Sequence, residues 1–312
     1  MRFEVIPLGT GAALPAQGRS PSAQVLRLED ALYLIDCGEG TQERLRMAGL
    51  SFMRISRVFI SHLHGDHCFG IMGLLSTMHL LGRTRELHLH GPQPLKAIID
   101  LQLQASGTWL RFPLHFHAVG DDAPQVLLED ERLTVTSLPL RHRVPTTGFL
   151  FRQKPGPRPL RPEHVNSIPH YRRSAVKAGH DLVRDDGTVV PNAALTTDPP
   201  PPAAYAYCSD TAPHPHLASW VRGVDLLYHE ATFTTHLAAR ARETLHSTAA
   251  QAATVAREAG VGALLLGHFS SRYKDLTPLL DEARAIFPDT ALSEEGRCYP
   301  IGPRSSAPGT GG

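Results

Sequence analysis

The chain has 312 residues, 42% of them hydrophobic and 20% charged, and a formal net charge of +1. No stretch approaches the roughly 20 apolar residues of a membrane span, and the opening MRFEVIPLGTG lacks the charged and apolar blocks of a secretory leader, so a cytoplasmic protein with no membrane partner is expected. The four cysteines, Cys37, Cys68, Cys208 and Cys298, show no CxxC spacing, which argues against a disulfide framework or a cysteine zinc site; Cys37, Cys68 and Cys208 sit beside candidate site residues, and small buried side chains are the simpler reading of these three.

Residues 3–11 read as a strand entering a glycine turn, followed by a polar loop at 14–20 (LPAQGRS). Residues 25–28 and 32–36 have the pattern of a hairpin, after which CGEGTQ at 37–42 turns into a short helix ending near Gly49. The stretch 58–70, VFISHLHGDHCFG, begins as a β-branched apolar run that predicts a buried strand, then breaks into a turn carrying His62, His64, Asp66 and His67. The pattern is HxHxDH. Alternation along an extended segment puts His62 and His64 on one face, while the turn at Gly65 can send Asp66 and His67 towards a second point, a spacing that suits two adjacent metals. Imidazole and carboxylate are ligands of zinc and its neighbours, and this segment alone closes neither metal, so later residues must supply more ligands.

The apolar run 71–81 has helical length, 87–90 reads as a strand and 95–104 as a helix. His88 and His90, and His115 and His117, alternate inside apolar runs, while His214 and His216 sit among prolines; none is followed by a carboxylate at ligand spacing, so all six read as structural. Residues 133–138 (LTVTSL) predict a strand leading to His142. Residues 205–208 predict another, ending in Ser209 and Asp210; 224–228 runs into HEAT at 229–232, and 263–266 ends in Gly267 and His268. Ligand types thus follow five separate strands, whose ends converge on one edge in a layered fold. The repeated strands with helices between them predict an α/β sandwich of sheets covered by helices.

Residues 151–202 differ in kind. They are rich in Pro, Arg and Lys and close with DPPPP, which reads as an extension from the core. From 141 to 184 there are ten Lys/Arg against Glu163 and Asp181, net +8, so the rest of this +1 chain is net −7. The tail 303–312 is expected to be disordered.

Together these motifs resemble one family, the tRNA 3′-processing endonucleases of the metallo-β-lactamase superfamily known as short-form ribonuclease Z. The resemblance covers nearly the whole length: the FDCGEGTQ-like segment at 35–42, SHLHGDH at 61–67, the His142 segment, SDT at 209–211, HEAT at 229–232, HST at 246–248 and GHFSSRY at 267–273 stand in the family's order. HxHxDH indicates only the superfamily; HEAT together with HST is far more specific. The resemblance implies a four-layer αββα metallo-β-lactamase sandwich, formed by 1–150 and 203–302, with an inserted flexible tRNA-binding arm at 151–202.

Carried over residue by residue, it implies that His62, His64 and His142 hold one zinc, that Asp66, His67 and His268 hold a second, and that Asp210 bridges them; manganese or cobalt could substitute. Two metals about 3.5–4 Å apart can clamp a phosphodiester and lower the pKa of a bridging water to about 7. Asp66 would orient or deprotonate that water, and His246, steadied by Glu230, would protonate the leaving 3′ oxygen. Without the resemblance, His246 reads as a histidine ahead of a helix capped by Ser247. Arg152, Lys154, Arg158, Arg161, Arg172, Arg173 and Lys177 are the arm residues expected to meet precursor tRNA, in a homodimer where one subunit's arm serves the other's site. Two segments depart from the family pattern: Gln17 and Ser20 replace the lysine and asparagine of its PxKxRN loop, and its Gly-Pro motif is absent from 168–179. The alternatives are a general phosphodiesterase or another hydrolase of the superfamily, such as a thioesterase or lactamase, which should lack a basic arm, and an RNA-binding protein with a disabled site, against which every ligand position is filled.

Overall fold

The computed structural model describes residues 2–302, so the tail expected to be disordered at 303–312 lies outside the described residues. Phe3–Gly9 (β1), Ala23–Leu28 (β2), Ala31–Ile35 (β3), Ile55–Phe59 (β4), Leu87–Gly91 (β5) and Leu114–Ala118 (β6) build a first sheet in that order. Val126–Glu129 (β7), Leu133–Leu140 (β8) and Thr146–Gln153 (β9) begin a second. After an excursion carrying the small hairpin Leu182–Val183 (β10) and Val189–Val190 (β11), that sheet is completed by Ala204–Cys208 (β12), Leu226–Glu230 (β13), Leu264–Gly267 (β14) and Thr290–Leu292 (β15). Tyr299–Pro300 (β16) crosses back to pair with β1, giving seven strands per sheet among the described residues.

The sheets stack face to face over a core that includes Phe3, Val5 and Phe59 from one and Val135, Phe149 and Tyr205 from the other. Helices Ile71–Leu80 and Pro94–Ala105 pack on the outer face of the first sheet, and Ala249–Ala259 and Thr277–Arg284 on that of the second. This is the expected αββα layering. Strands covered on both faces need no polar alternation, which is why β1, β12 and β13 are buried throughout. In helix 249–259 the alanines at 249, 252, 253 and 256 form the i, i+3, i+4, i+7 stripe that meets the sheet. Its cap is Thr248, in a capping box with Gln251, and not Ser247 as the sequence suggested.

The sequence boundary at 151 also shifts. β9 runs on to Gln153, and Arg152 pairs with Thr134 of β8 and Ala204 of β12, so Arg152 belongs to the sandwich and the excursion begins at Lys154. The excursion has a core of its own, in which Ile168, Val176, Leu182 and Leu195 are buried together. Asn192 ties it internally by donating to the carbonyls of Val176 at 2.6 Å and His180 at 2.9 Å. Counted over 154–202, seven Lys/Arg face five acids, because Asp185, Asp186 and Asp198 lie just beyond the basic window. Arg158 pairs with Asp198 at 2.7 Å and Arg172 with Asp185 at 3.6 Å, so the charge of this unit is largely balanced internally.

Because this small core is separate from the main ones, Leu195→Ala should destabilise the excursion locally by about 2–5 kcal/mol and leave the sandwich intact. Limited proteolysis should then cut faster within 154–202, while the main thermal transition followed by circular dichroism stays unchanged.

Candidate metal centre

Parallel pairing fixes where the site forms. β3 and β4 run parallel, as do β12, β13 and β14, while β8 and β12 each run antiparallel to β9 and therefore in one direction. Their carboxyl ends deliver Asp36, the 61–67 turn, His142, Asp210, Glu230 and His268 to one rim between the sheets, so all five strand ends expected from sequence meet there. Thr147 N–H, donating to the Ser61 carbonyl at 3.0 Å, ties the two sheets at this edge.

Two groups of donor atoms converge. His62, His64, His142 and Asp210 form one, and Asp66, His67 and His268 the other; His246 also comes within reach of Asp210 and His268. In the first, His64 Nδ1 lies 3.0 Å from His62 Nε2 and 3.3 Å from His142 Nε2, and Asp210 Oδ2 lies 3.6 and 3.8 Å from those Nε2 atoms. In the second, His67 Nε2 and His268 Nε2 are 3.3 Å apart, and Asp66 Oδ2 is 3.5 and 3.4 Å from them. Asp210 Oδ1 turns to this group, 3.4 Å from His67 Nε2 and 3.2 Å from His268 Nε2. The carboxylate of Asp210 therefore spans both groups, one oxygen to each.

Tautomers follow from the outer partners. His67 Nδ1–H donates to Asp36 at 2.7 Å, His142 Nδ1–H to the Leu245 carbonyl at 2.9 Å and His268 Nδ1–H to Thr232 Oγ1 at 2.9 Å. His62 Nδ1–H donates to Ser61 Oγ at 3.0 Å, and that hydroxyl donates to Asp36 at 2.9 Å. Four Nε2 lone pairs are thus aimed inward, and a single proton on His64 Nδ1 could answer only one of them. Asp210 Oδ1 is buried without a hydrogen-bond partner among the described residues. Such an arrangement is unfavourable unless a cation fills it. Tetrahedral zinc, with bonds of about 2.0–2.1 Å, needs donor separations of about 3.3 Å, which these distances match, so the residues fit two metal ions.

The electrostatics agree. Burial disfavours a charged His67, yet Asp210, Asp36 and Asp66 outweigh it and push the imidazole up to about 10; a field that holds a proton this firmly attracts any cation. Burial also opposes ionisation of Asp66, but His67, His268 and the Ala13 amide, which donates to Oδ2 at 2.7 Å, keep its carboxyl well below the usual carboxylate range. Burial and the neighbouring imidazoles hold His62 neutral, the form that binds metal.

Glu230 is wholly buried. It accepts from the backbone amides of Thr211 at 3.1 Å, Thr232 at 2.9 Å and Ser247 at 2.9 Å, from Thr232 Oγ1 at 2.7 Å and from His246 Nδ1–H at 2.9 Å. Burial would raise its pKa, but His246 and these donors bring it down to about 2. Against its own burial, His246 is pushed up to about 9 by Glu230 and Asp210. With Nδ1 on Glu230, the Nε2 edge of His246 is free for a cleft of about 610 Å³ that the residue lines together with Asp66, Asp210 and His268.

Arg143, Arg240 and Arg272 line the same cleft and escaped the sequence reading, although Arg143 adjoins His142 and Arg272 sits in GHFSSRY. Asp36, Ser61 and Thr232 were missed too, although Asp36 lies in the FDCGEGTQ-like segment at 35–42, Ser61 opens SHLHGDH and Thr232 closes HEAT. No residue of 154–202 lines the cleft, so Lys154, Arg158, Arg161, Arg172, Arg173 and Lys177 are not gathered at it. Lys154 instead pairs with Glu129 at 2.8 Å, and Arg173 donates to the Val165 carbonyl at 2.7 Å. The 14–20 loop is held to the His268 loop, Gln17 donating to the Ser271 carbonyl at 3.4 Å and Arg19 to that of Tyr273 at 2.7 Å. Cys37, Cys68 and Cys208 are buried as expected, and burial pushes the Cys68 thiol up to about 12.

Comparison with known proteins places this geometry. Ribonuclease Z of Bacteroides fragilis is 48% identical over 302 residues, covering 96% of this chain and 99% of that protein. Ribonuclease Z of Porphyromonas gingivalis is 45% identical over 300 residues, covering 94% and 97%. The crystal structure of human tRNase Z, short form, superposes with a TM-score of 0.70 at 28% identity, covering 95% of this chain and 98% of that one. The metallo-β-lactamase fold protein YhfI from Bacillus subtilis, at 19% identity and TM-score 0.67, covers 96% and 98% and shares the fold. A family model described as anti-Pycsar protein Apyc1 matches residues 3–107.

Since Asp210 faces both donor groups, Asp210→Ala should lose both ions, whereas His62→Ala should weaken one more than the other. Elemental analysis after dialysis checks this, and two full equivalents of metal in Asp210→Ala would refute the bridge.

Proposed function

The chain belongs to the ribonuclease Z family of tRNA 3′-processing endonucleases, and on that premise we propose that it cuts precursor tRNA after the discriminator base, leaving a 3′ hydroxyl on the tRNA and a 5′ phosphate on the trailer. The observation that carries the reading is the pair of donor groups sharing Asp210 at the floor of an arginine-lined cleft. We infer zinc as the metal from the imidazole-rich donors at tetrahedral separations, with manganese or cobalt as substitutes. Two such ions, when bound, supply Lewis-acid charge to the phosphodiester oxygens and acidify a water. His62, His64 and His142 would hold one and Asp66, His67 and His268 the other, with Asp210 between.

Asp66, anchored by the Ala13 amide, keeps its second oxygen available to orient the attacking water or take its proton. His246 delivers a proton from Nε2 to the leaving 3′ oxygen. Glu230 touches no part of the cleft and is a positioning residue: it fixes the ring of His246 and keeps it charged. Arg143, Arg240 and Arg272 supply the cations that draw the phosphate backbone to the cleft.

A homodimer in which each arm serves the partner's site is supported by where the excursion is rooted. β9 starts at Thr146, beside the metal rim, and ends seven residues later at Gln153, roughly 23 Å away for an extended strand; there Lys154 N–H donates to the Arg132 carbonyl in the turn between β7 and β8. An arm leaving from the far end is poorly placed to grip RNA at its own cleft.

Mapping the cut in one precursor tRNA tests the function; uncut RNA, or cuts scattered along the trailer, would sink it. If His246 protonates the leaving group, His246→Ala should lose activity on precursor tRNA far more than on an activated aryl phosphodiester, whose leaving group needs no proton; equal losses would make His246 structural. Replacing 158–198 by a Gly/Ser linker should raise KM for precursor tRNA and flatten its salt dependence, by roughly 0.7–0.9 in log–log slope for each phosphate the arm had neutralised. Mixed with an Asp66→Ala protein, the armless one should regain activity, and failure to do so in exchanged dimers would put the arm in cis.

A further inference from the structure

We propose that Phe69 is a nucleobase-stacking platform beside the metal centre, a subsite that rests on the reading of the cleft as a bed for an RNA strand. Phe69 follows the metal-binding turn directly, its N–H donating to the Gly65 carbonyl at 3.0 Å. Its ring folds back over the α-carbon of Gly65 so closely that a methyl group there would overlap it. Gly65 stands between His64 and Asp66, members of the two donor groups, so the ring is seated on the backbone that carries both.

The other face is open. Phe69 is 74% exposed although Cys68 before it and Ile71 after it are buried, and it lines the cleft with Asp66, Asp210 and His246. A flat apolar face, fixed by a glycine and standing in a cleft that also presents imidazoles, carboxylates and arginines, fits a substrate group that is itself flat and lies next to a phosphodiester: the base of a nucleotide flanking the cut. Leu14, 51% exposed and one residue past the Ala13 amide that holds Asp66, adds a second apolar surface to the same cleft. Because every base has a π-face, such a platform accepts any base and contributes affinity and alignment in place of sequence choice.

Phe69→Leu keeps an apolar side chain over Gly65 and removes the π-face, and Phe69→Trp restores one. With precursor tRNA, Leu and Ala variants should lose about tenfold or more in kcat/KM, within the range of one base stacked on an aromatic ring, and Trp should recover most of it. A precursor tRNA carrying 2-aminopurine next to the cut should be quenched on mixing with the parent and Trp proteins and not with the Leu protein. A Leu variant equal to the parent in rate and quenching would overturn the platform, as would a change of oligomeric state at unchanged kcat/KM, which would make Phe69 a protein contact. A parent that leaves precursor tRNA uncut would instead remove the reading of the cleft.

Discussion

The constraint on which the rest depends is the convergence of imidazole and carboxylate donors on Asp210. Four imidazole Nε2 atoms, His64 Nδ1 and carboxylate oxygens stand 3.0–3.8 Å from their neighbours with lone pairs inward. Left alone, such groups would rotate to water or take up protons, and either change would undo the geometry. The fold prevents this from outside. Asp36 accepts from His67, Ser61 Oγ, Tyr207 Oη and the Ser61 amide, so one buried carboxylate fixes two ligand rings on a single turn and ties that turn to the second sheet. Cation binding to a site held this way adds its free energy to the stability of the folded chain.

Glu230 does the same on the other sheet. Five donors from three segments saturate its carboxylate, so the loops carrying Asp210, Thr232 and His246 are registered to a single buried group. A buried carboxylate deprived of a partner is strongly destabilising, which couples any movement of these loops. The path from His268 through Thr232 to Glu230 and on to His246 links a metal-binding imidazole to a proton donor by three hydrogen bonds.

Much of this was legible in the order of residues alone. Strands show in sequence as apolar runs, and a strand's end is where a polar ligand type stands out, so His62, His142, Asp210 and His268 could be found one strand at a time. What the sequence hid depends on partners distant in the chain. Leu245 holds His142 through a carbonyl, which leaves no trace in residue type, and Thr232, though it closes HEAT, gives no sign in sequence that its hydroxyl meets His268, 36 residues on. The boundary at 151 failed because proline and arginine announce an extension while Phe151 to Gln153 still pair on both sides. The charge of the excursion was overstated because a window closing at Arg184 stops one residue short of the acids that neutralise it.

Backbone strain points to the same centre. Six described residues other than glycine adopt left-handed φ angles, and four of them serve the site: Ala13 (68°), Asp36 (56°), Leu245 (57°) and His268 (58°). Ala13 presents an amide to Asp66, Asp36 accepts from His67, Leu245 presents a carbonyl to His142, and His268 is itself one of the converging imidazoles, its Nε2 3.2 Å from Asp210 Oδ1. Each such conformation costs of order 1–3 kcal/mol for a residue with a Cβ, yet glycine could replace neither Asp36 nor His268, whose side chains make the bonds. At Ala13 and Leu245 only backbone atoms serve the site, and burial does not keep both side chains, since Ala13 is exposed. The strain persists because surrounding bonds over-determine it: the Phe269 amide donates to the Thr10 carbonyl and the Ala12 amide to the Phe269 carbonyl, locking the 10–13 turn against the loop that follows His268. The 10–13 turn that anchors Asp66 and the loop that carries His268 are therefore held by each other, and the geometry of the second donor group is set by the join between the sheets rather than by either sheet alone.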